Sequence, residues 1–326
     1  MPVTYGSQAN VQGNALAISI FSALDSQFLH VQYPERLWKT VIGSQINTSI
    51  SAGAQNYVHL VKDYQGAAAF MSPVRGANVP RVNLSLGAIT TPLCVIGVAA
   101  DVTNEDARQY AQGNLGTLPQ DLQYAMREAH ENLWEATFFF GDASIGFQPW
   151  MNYTGIYTQT AAATGTGSPA TTSWANKTPL EIWADINAAL TTFYLNSNTL
   201  FIADTIYLPP LQYAALQQPF AIGSGPVLAT SILEYVLKNN ISTQLGKTLK
   251  IVPIRYLAAQ STHGDGSSGR AVLMEHDKRY QEMAIPLPYT IQPPVPALFG
   301  ATLAAESKIG SFACYQPGSM MYLDGI

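Results

Sequence analysis

Between Pro119 and Gly141, apolar residues recur at steps of three and four: Leu122, Met126, Ala129, Leu133, Ala136 and Phe140. That spacing predicts an amphipathic helix. Proline suits the first helical turn, where its missing N–H is no loss, and glycine suits the position just past a helix end. Bounded this way, the helix runs to about 22 residues, roughly 33 Å at 1.5 Å per residue. A rod of that length with an apolar stripe needs a large body to bury it. The expectation is that the whole stripe, Leu133 included, faces the core.

Around this helix the pattern alternates between element types. Residues 1–50 read as an arm, with Ile18, Phe21, Leu24 and Phe28 at helical spacing until Tyr33-Pro34 interrupts. Residues 56–62 and 81–86 read as strands joined by an irregular stretch punctuated by Pro73, Gly76 and Pro80. Leu93 to Ala99 reads as a short buried strand, and 103–110 as a short helix. Residues 155–174, rich in Thr, Ala, Gly and Ser, read as an exposed loop. Thr178-Pro179-Leu180-Glu181 is a capping box with proline at the first helical position, opening a helix with Ile182, Ile186, Leu190 and Phe193 on one face. Strands follow at 204–208, 249–257 and 271–276, with short helices at 211–216 and 232–238. A polar glycine loop spans 264–269. Pro286, Pro288, Pro293, Pro294 and Pro296 fill a crossing, and 308–323 closes the chain as one or two strands. Mixed helix and strand without βαβ alternation argues for an α+β fold.

Only 11% of the 326 residues are charged, against about 25% in ordinary soluble proteins. A surface so poor in charge points to cover by partners, as in large obligate interfaces. The net charge is −5 and the 16 Lys and Arg are scattered, whereas phosphate recognition needs them clustered. No basic residue precedes Arg36, so no secretory leader is expected, and no window reaches the ~18 apolar residues of a membrane span. The chain reads as a soluble protein made in the cytoplasm.

Motifs for chemistry are missing. His30, His59, His130, His263 and His276 show no i, i+4 pair and no HExxH,. There is no GxSxG elbow. The glycine loop lacks the Gly-Lys-Ser/Thr of a phosphate cradle. None of the 21 Asp and Glu clusters with Trp or Tyr as a paired-carboxylate site would,. Cys94 and Cys314 lie far apart in apolar surroundings, and reduced, unbonded thiols are expected. We therefore assign no catalytic, cofactor-binding or metal-ligating residue, and expect no enzyme activity and no cofactor.

Several segments carry a resemblance by their order. The long helix ends in Phe138-Phe139-Phe140-Gly141-Asp142, followed by Ile145-Gly146-Phe147 and by Asn152 with Gly155-Ile156. Asp204-Thr205-Ile206-Tyr207-Leu208 runs into Pro209-Pro210 and Tyr213. Ala271 to Asp277 precedes Ile285-Pro286-Leu287-Pro288. Gly310 to Pro317 and Tyr322 to Ile326 close the chain. The ordered set resembles the major capsid proteins of tailed bacteriophages, with their HK97-like fold, and within them a family formerly known only as a domain of unknown function. Gln148-Pro149-Trp150 departs from that pattern, where a second glycine and a leucine are expected.

The resemblance implies an N-terminal arm over 1–50 and an extended two-stranded loop over 51–99 that reaches across a neighbouring subunit. It implies a peripheral domain with a spine helix over 100–144, an axial domain over 145–290, and return strands of the peripheral domain over 291–326. Function would be self-assembly into pentamers and hexamers of an icosahedral phage head around double-stranded DNA. Location would be the virion capsid, assembled in the host cytoplasm. Partners would be other copies of the chain, with portal, scaffolding or decoration proteins as further classes, and no membrane. In some relatives a loop lysine bonds covalently to a neighbour's asparagine; Lys62 is the one lysine in this loop, and that chemistry is not carried over to it. An encapsulin-type compartment shares the fold and is the nearest alternative; a secreted polar hydrolase is a distant one. Residues 54–93 are expected to be mobile in free subunits, cut by trypsin near Arg75 or Arg81, and protected in shells.

Overall fold

The computed structural model describes residues 34–68, 81–112, 118–166, 171–221, 227–258 and 269–326. Of two units, Met1–Glu35 lies almost wholly outside these residues, and Arg36–Ile326 carries the fold described below. The expected helix around Ile18 to Phe28, the stretch holding Phe70 and Met71, and most of the glycine loop also lie outside them.

The chain opens with a short helix α1 (Trp38–Ile42), strand β1 (Ile46–Asn47) and two long strands, β2 (Asn56–Gln65) and β3 (Asn83–Thr103). Helix α2 (Asn104–Gln112) precedes the long spine α3 (Leu118–Phe140). Next come β4 (Tyr157–Thr160), α4 (Pro179–Asn196), β5 (Thr205–Leu208) and α5 (Pro210–Ala215). A hairpin of β6 (Pro219–Ala221) and β7 (Val227–Ser231) leads to α6 (Ile232–Lys238), α7 (Ile241–Gln244) and β8 (Lys250–Pro253). The remainder is strand: β9 (Arg270–Met274), β10 (Gln281–Ala284), β11 (Leu287–Ile291), β12 (Val295–Ala297), β13 (Gly300–Gly310), β14 (Phe312–Cys314) and β15 (Met320–Asp324).

Strands β5, β9 and β15 are buried at every residue, so they need cover on both faces. They are the middle of a mixed sheet ordered β4-β15-β9-β5-β8. Alternate residues serve opposite layers. Ile206, Leu208, Leu273, Met321 and Leu323 share a core with Ile182, Ile186, Leu190 and Phe193 of α4. Tyr207, Val272, Met274 and Tyr322 share the other core with Trp134, Phe138 and Phe139 of α3. The sheet is therefore clamped between the two long helices, with each large apolar side chain contributing about 1.5–3 kcal/mol by burial.

The capping box at α4 forms as expected. Glu181 N donates to Thr178 Oγ1 at 3.4 Å, and Thr178 N donates to the Glu181 carboxylate at 2.7 Å. Thr178→Ala should lower stability by about 1 kcal/mol, read as a lower urea midpoint at unchanged slope. At the end of α3, Gly141 has φ +67°, and a Cβ there would stand 2.5 Å from Phe147 O. Its amide donates to Thr137 O at 3.0 Å, so this helix stop requires glycine.

The face of α3 corrects the sequence expectation. Its buried residues are Met126, His130, Trp134, Glu135, Phe138 and Phe139. Leu133 is 47% exposed, and Ala129, Ala136 and Phe140 also face outward. The helix is apolar on two sides, and the bulkiest rings take the inner one. Two polar residues enter with them because they are bonded. His130 Nε2 lies 3.3 Å from Ile96 O, and Glu135 accepts from Arg36, Arg255 and Leu37 N.

Three smaller expectations also change. The Thr/Ala/Gly stretch is not all loop, because β4 pairs in parallel with β15. The proline-rich crossing contains β11 and β12, both antiparallel to β13. Proline is tolerated at a sheet edge, where its missing N–H is not needed. Of the expected strand 249–257, only β8 is extended, and a 3-10 turn over Arg255–Leu257 follows.

Candidate assembly surfaces

Strand β3 changes partners along its length. Its residues Asn83 to Pro92 pair with β2, and Leu93 to Thr103 pair with β13 on the other edge. Pro92, which has no N–H, sits at the changeover. The outer half is thus a two-stranded ribbon whose strands have no second neighbour among the described residues. Such a ribbon is marginal in water without cover.

One face of the ribbon is apolar and open. Directly paired residues share a face, so Val58, Leu60 and Tyr64 lie beside Thr90, Ala88 and Leu84, with Leu86 opposite Lys62. Leu60 is 65% exposed and Tyr64 74%. The same parity of β3 continues inward as Ile96, Val98, Ala100 and Val102, which pack into the cores under α3. Among the described residues, one patterned face is therefore covered at one end and open at the other. A contiguous exposed apolar face of this kind marks an interaction site.

Two further apolar surfaces stand out. The β12–β13 turn holds only Leu298 and Phe299, since Ala297 pairs with Gly300; Leu298 is 94% exposed and Phe299 78%. The outward stripe of α3, with Leu133 and Phe140, is the second. Sequence reading found the residues of that stripe but placed them inside, and it missed Leu298 and Phe299, whose only signal was two large apolar residues between short β runs.

Polar clusters in the body hold elements together. Arg36 donates to Glu128 and Glu135, and Lys39 Nζ reaches Glu131 at 2.7 Å, tying α1 to α3. His276 lies 2.7 Å from Asp204 Oδ1 and 2.7 Å from Tyr207 Oη, with Val41 O also against both rings. Burial alone would raise the Asp204 carboxyl, but the hydrogen bonds and charge of His276 hold it below the usual range. Burial first, and then the Asp204 charge, push the Tyr207 phenol far above its ordinary value. Tyr207 is buried, and the arrangement latches α1 to the central sheet. His59 stacks on Tyr315, and His130 is buried on α3. His30 and His263 lie outside the described residues. Among those residues no group of three His, Cys, Asp or Glu could hold a metal ion, and no helix is long and apolar enough to cross a membrane. Cys94 and Cys314 are free, and burial pushes the Cys314 thiol up to about 11.

The arrangement matches known shell subunits. The capsid of Myoviridae phage XM1 superposes with a TM-score of 0.75 at 14% identity, covering 94% of this chain and 98% of that one. Mycobacterium phage Bobi gives 0.57 at 10% identity, covering 95% and 96%. The capsid of cyanophage P-SCSP1u gives 0.56 at 11%, covering 94% and 93%. No curated protein matches the sequence. The spine helix, the long ribbon and the clamped sheet define an α+β fold of the HK97-like capsid class. The chain belongs to the major capsid protein family, whose model, described as "Major capsid protein", matches residues 66–326. It is a shell protein of the virion capsid and not an enzyme, and it assembles into a multimeric shell.

Proposed function

We propose that this chain builds the pentamers and hexamers of an icosahedral phage head around double-stranded DNA, and that it assembles in the host cytoplasm. The observation that carries this reading is the ribbon: two strands with open outer edges and an open apolar face, projecting from a well-packed body. A neighbouring copy provides the cover that the described residues of this chain do not. Contacts between unlike surfaces that close into rings produce such capsomers. The mildly acidic charge of −5, with no basic cluster, keeps packaged DNA from adhering to the wall,.

In this reading, residues 1–50 are the arm and 51–99 the extended loop. The peripheral domain combines 100–144 with the return strands 291–326, and 145–290 form the axial domain. Portal, scaffolding or decoration proteins are the further partner classes. Electron microscopy of the expressed protein tests the assembly, with closed icosahedral particles expected. Replacing Leu60 and Leu86 together by Asp should leave folded subunits that form no shells. Normal shells from that variant would refute the ribbon as the contact.

Limited proteolysis checks the same element. Trypsin should cut free subunits first near Arg81 and spare assembled shells, because order here follows binding. Equal resistance in the two states would show that the far end of the ribbon is ordered within its own subunit.

A further inference from the structure

The ribbon is held to the body at one end, and that end is built in an unusual way. His59, on the ribbon face opposite the open one, stacks on Tyr315 with ring centroids 3.9 Å apart and planes 13° from parallel. Tyr315 Oη donates to Glu282 Oε1 at 2.7 Å. Asn47 Nδ2 donates to the same carboxylate at 3.3 Å and lies 3.5 Å from Tyr57 Oη. Glu282 is 4% exposed. Asn47, Glu282 and Tyr315 come from β1, β10 and the residue after β14, which form one small sheet. Tyr57 and His59 come from β2. A carboxylate accepts several donors at once, so one buried side chain gathers hydroxyl and amide groups from the body and, through Tyr315 and Asn47, fixes the two ribbon side chains.

We propose that Glu282, Tyr315 and His59 are positioning residues for assembly, a pin that sets the angle at which the ribbon leaves the body. This rests on the reading of the ribbon as the contact with a neighbouring copy.

The need for such a pin follows from length. Ten paired residues extend about 34 Å, so a tilt of about 10° at the base moves the far end by about 6 Å. That error exceeds what side-chain packing at an interface tolerates. Beyond the base the described residues of the body offer the ribbon no second strand. Stiffness at the root is then the means by which the open face arrives in register, and pre-organisation of this kind raises affinity without adding contacts.

The test uses the full chain carrying His59→Ala, His59→Phe or Tyr315→Phe. Hydrogen exchange of the ribbon base is measured in free subunits, together with the thermal midpoint and the concentration at which shells form. His59→Ala should speed exchange across residues 57–61 by about tenfold and raise the assembly concentration by about tenfold, with little change in the midpoint. His59→Phe, which keeps a ring over Tyr315, should restore both. Tyr315→Phe keeps the stack but frees the ring from Glu282, and should give an intermediate effect. Unchanged exchange in His59→Ala overturns the proposal. So does a midpoint that falls in step with assembly and is not rescued by His59→Phe, since that marks a purely structural role. The Leu60/Leu86 double variant separates the two readings. If it assembles normally while exchange still responds at His59, the contact reading fails and the pin remains.

Discussion

Trp134→Asp is expected to abolish folding, whereas Leu133→Asp is expected to give a folded subunit. The two residues are neighbours on α3 and both are large and apolar, so composition alone does not separate them. Trp134 is 6% exposed, packs edge-on against Trp38 at 5.4 Å, and donates from Nε1 to Ser307 Oγ at 3.3 Å. Removing a buried ring of this size costs about 3–5 kcal/mol. Burying an unpaired carboxylate in its place adds several kcal/mol more. The sum rivals the about 5–15 kcal/mol that holds a typical domain together. Leu133 faces solvent in the subunit, where a carboxylate stays hydrated and the change is about 0.5 kcal/mol or less. Circular dichroism and urea unfolding of the two variants distinguish them. A folded Trp134→Asp, or an unfolded Leu133→Asp, would show that the inward face of the helix is assigned wrongly.

Arg270→Ala should cost about 3–5 kcal/mol, because it removes the guanidinium that pairs with a buried carboxylate. Arg270 and Asp324 are each 1% exposed and face each other across β9 and β15. Nε donates to Oδ1 at 2.6 Å and the guanidinium to Oδ2 at 2.8 Å. The same guanidinium donates to Met151 O at 2.7 Å and lies over the Tyr322 ring at 4.4 Å. Truncation leaves both a carboxylate and a carbonyl without that donor, at the buried end of β9 and β15. The paired change Arg270→Met with Asp324→Leu removes both charges and should recover most of the loss. Urea midpoints of the wild type, the single variant and the pair measure this. A single variant as stable as the wild type would mean that water reaches this site.

Local signals in the sequence carried far. The Thr178 capping box, the Gly141 stop and the stripe Ile182, Ile186, Leu190 and Phe193 each have a cause within a few residues, and each forms as read. The class of protein was also legible, since an ordered set of segments survives where no single motif is specific. The inward face of α3 was not legible. Period alone cannot rank two apolar sides of one helix, and the deciding partners, Trp38, Ser307 and the central-sheet residues Tyr207, Val272 and Tyr322, lie far away in the chain, the nearest of them about 70 residues off,. The strands within the proline-rich crossing were hidden for a related reason, because β13 provides their edge from further along. The Glu282 cluster draws on residues 47, 57, 59, 282 and 315, a spacing that no local pattern announces.

The partner change at Pro92 has a mechanical consequence. The ribbon and the body share a single continuous strand, so tension applied at the ribbon's far end runs along the axis of β3. It meets eleven residue pairs with β13, from Leu93–Gly310 to Thr103–Gly300. Their hydrogen bonds lie across the strands, so the load falls on the ladder in shear and is shared by the rungs together. A hairpin merely appended to the body would be peeled off one rung at a time. The chain thus behaves as a strap sewn along its length, and the strength of the joint grows with the overlap between β3 and β13.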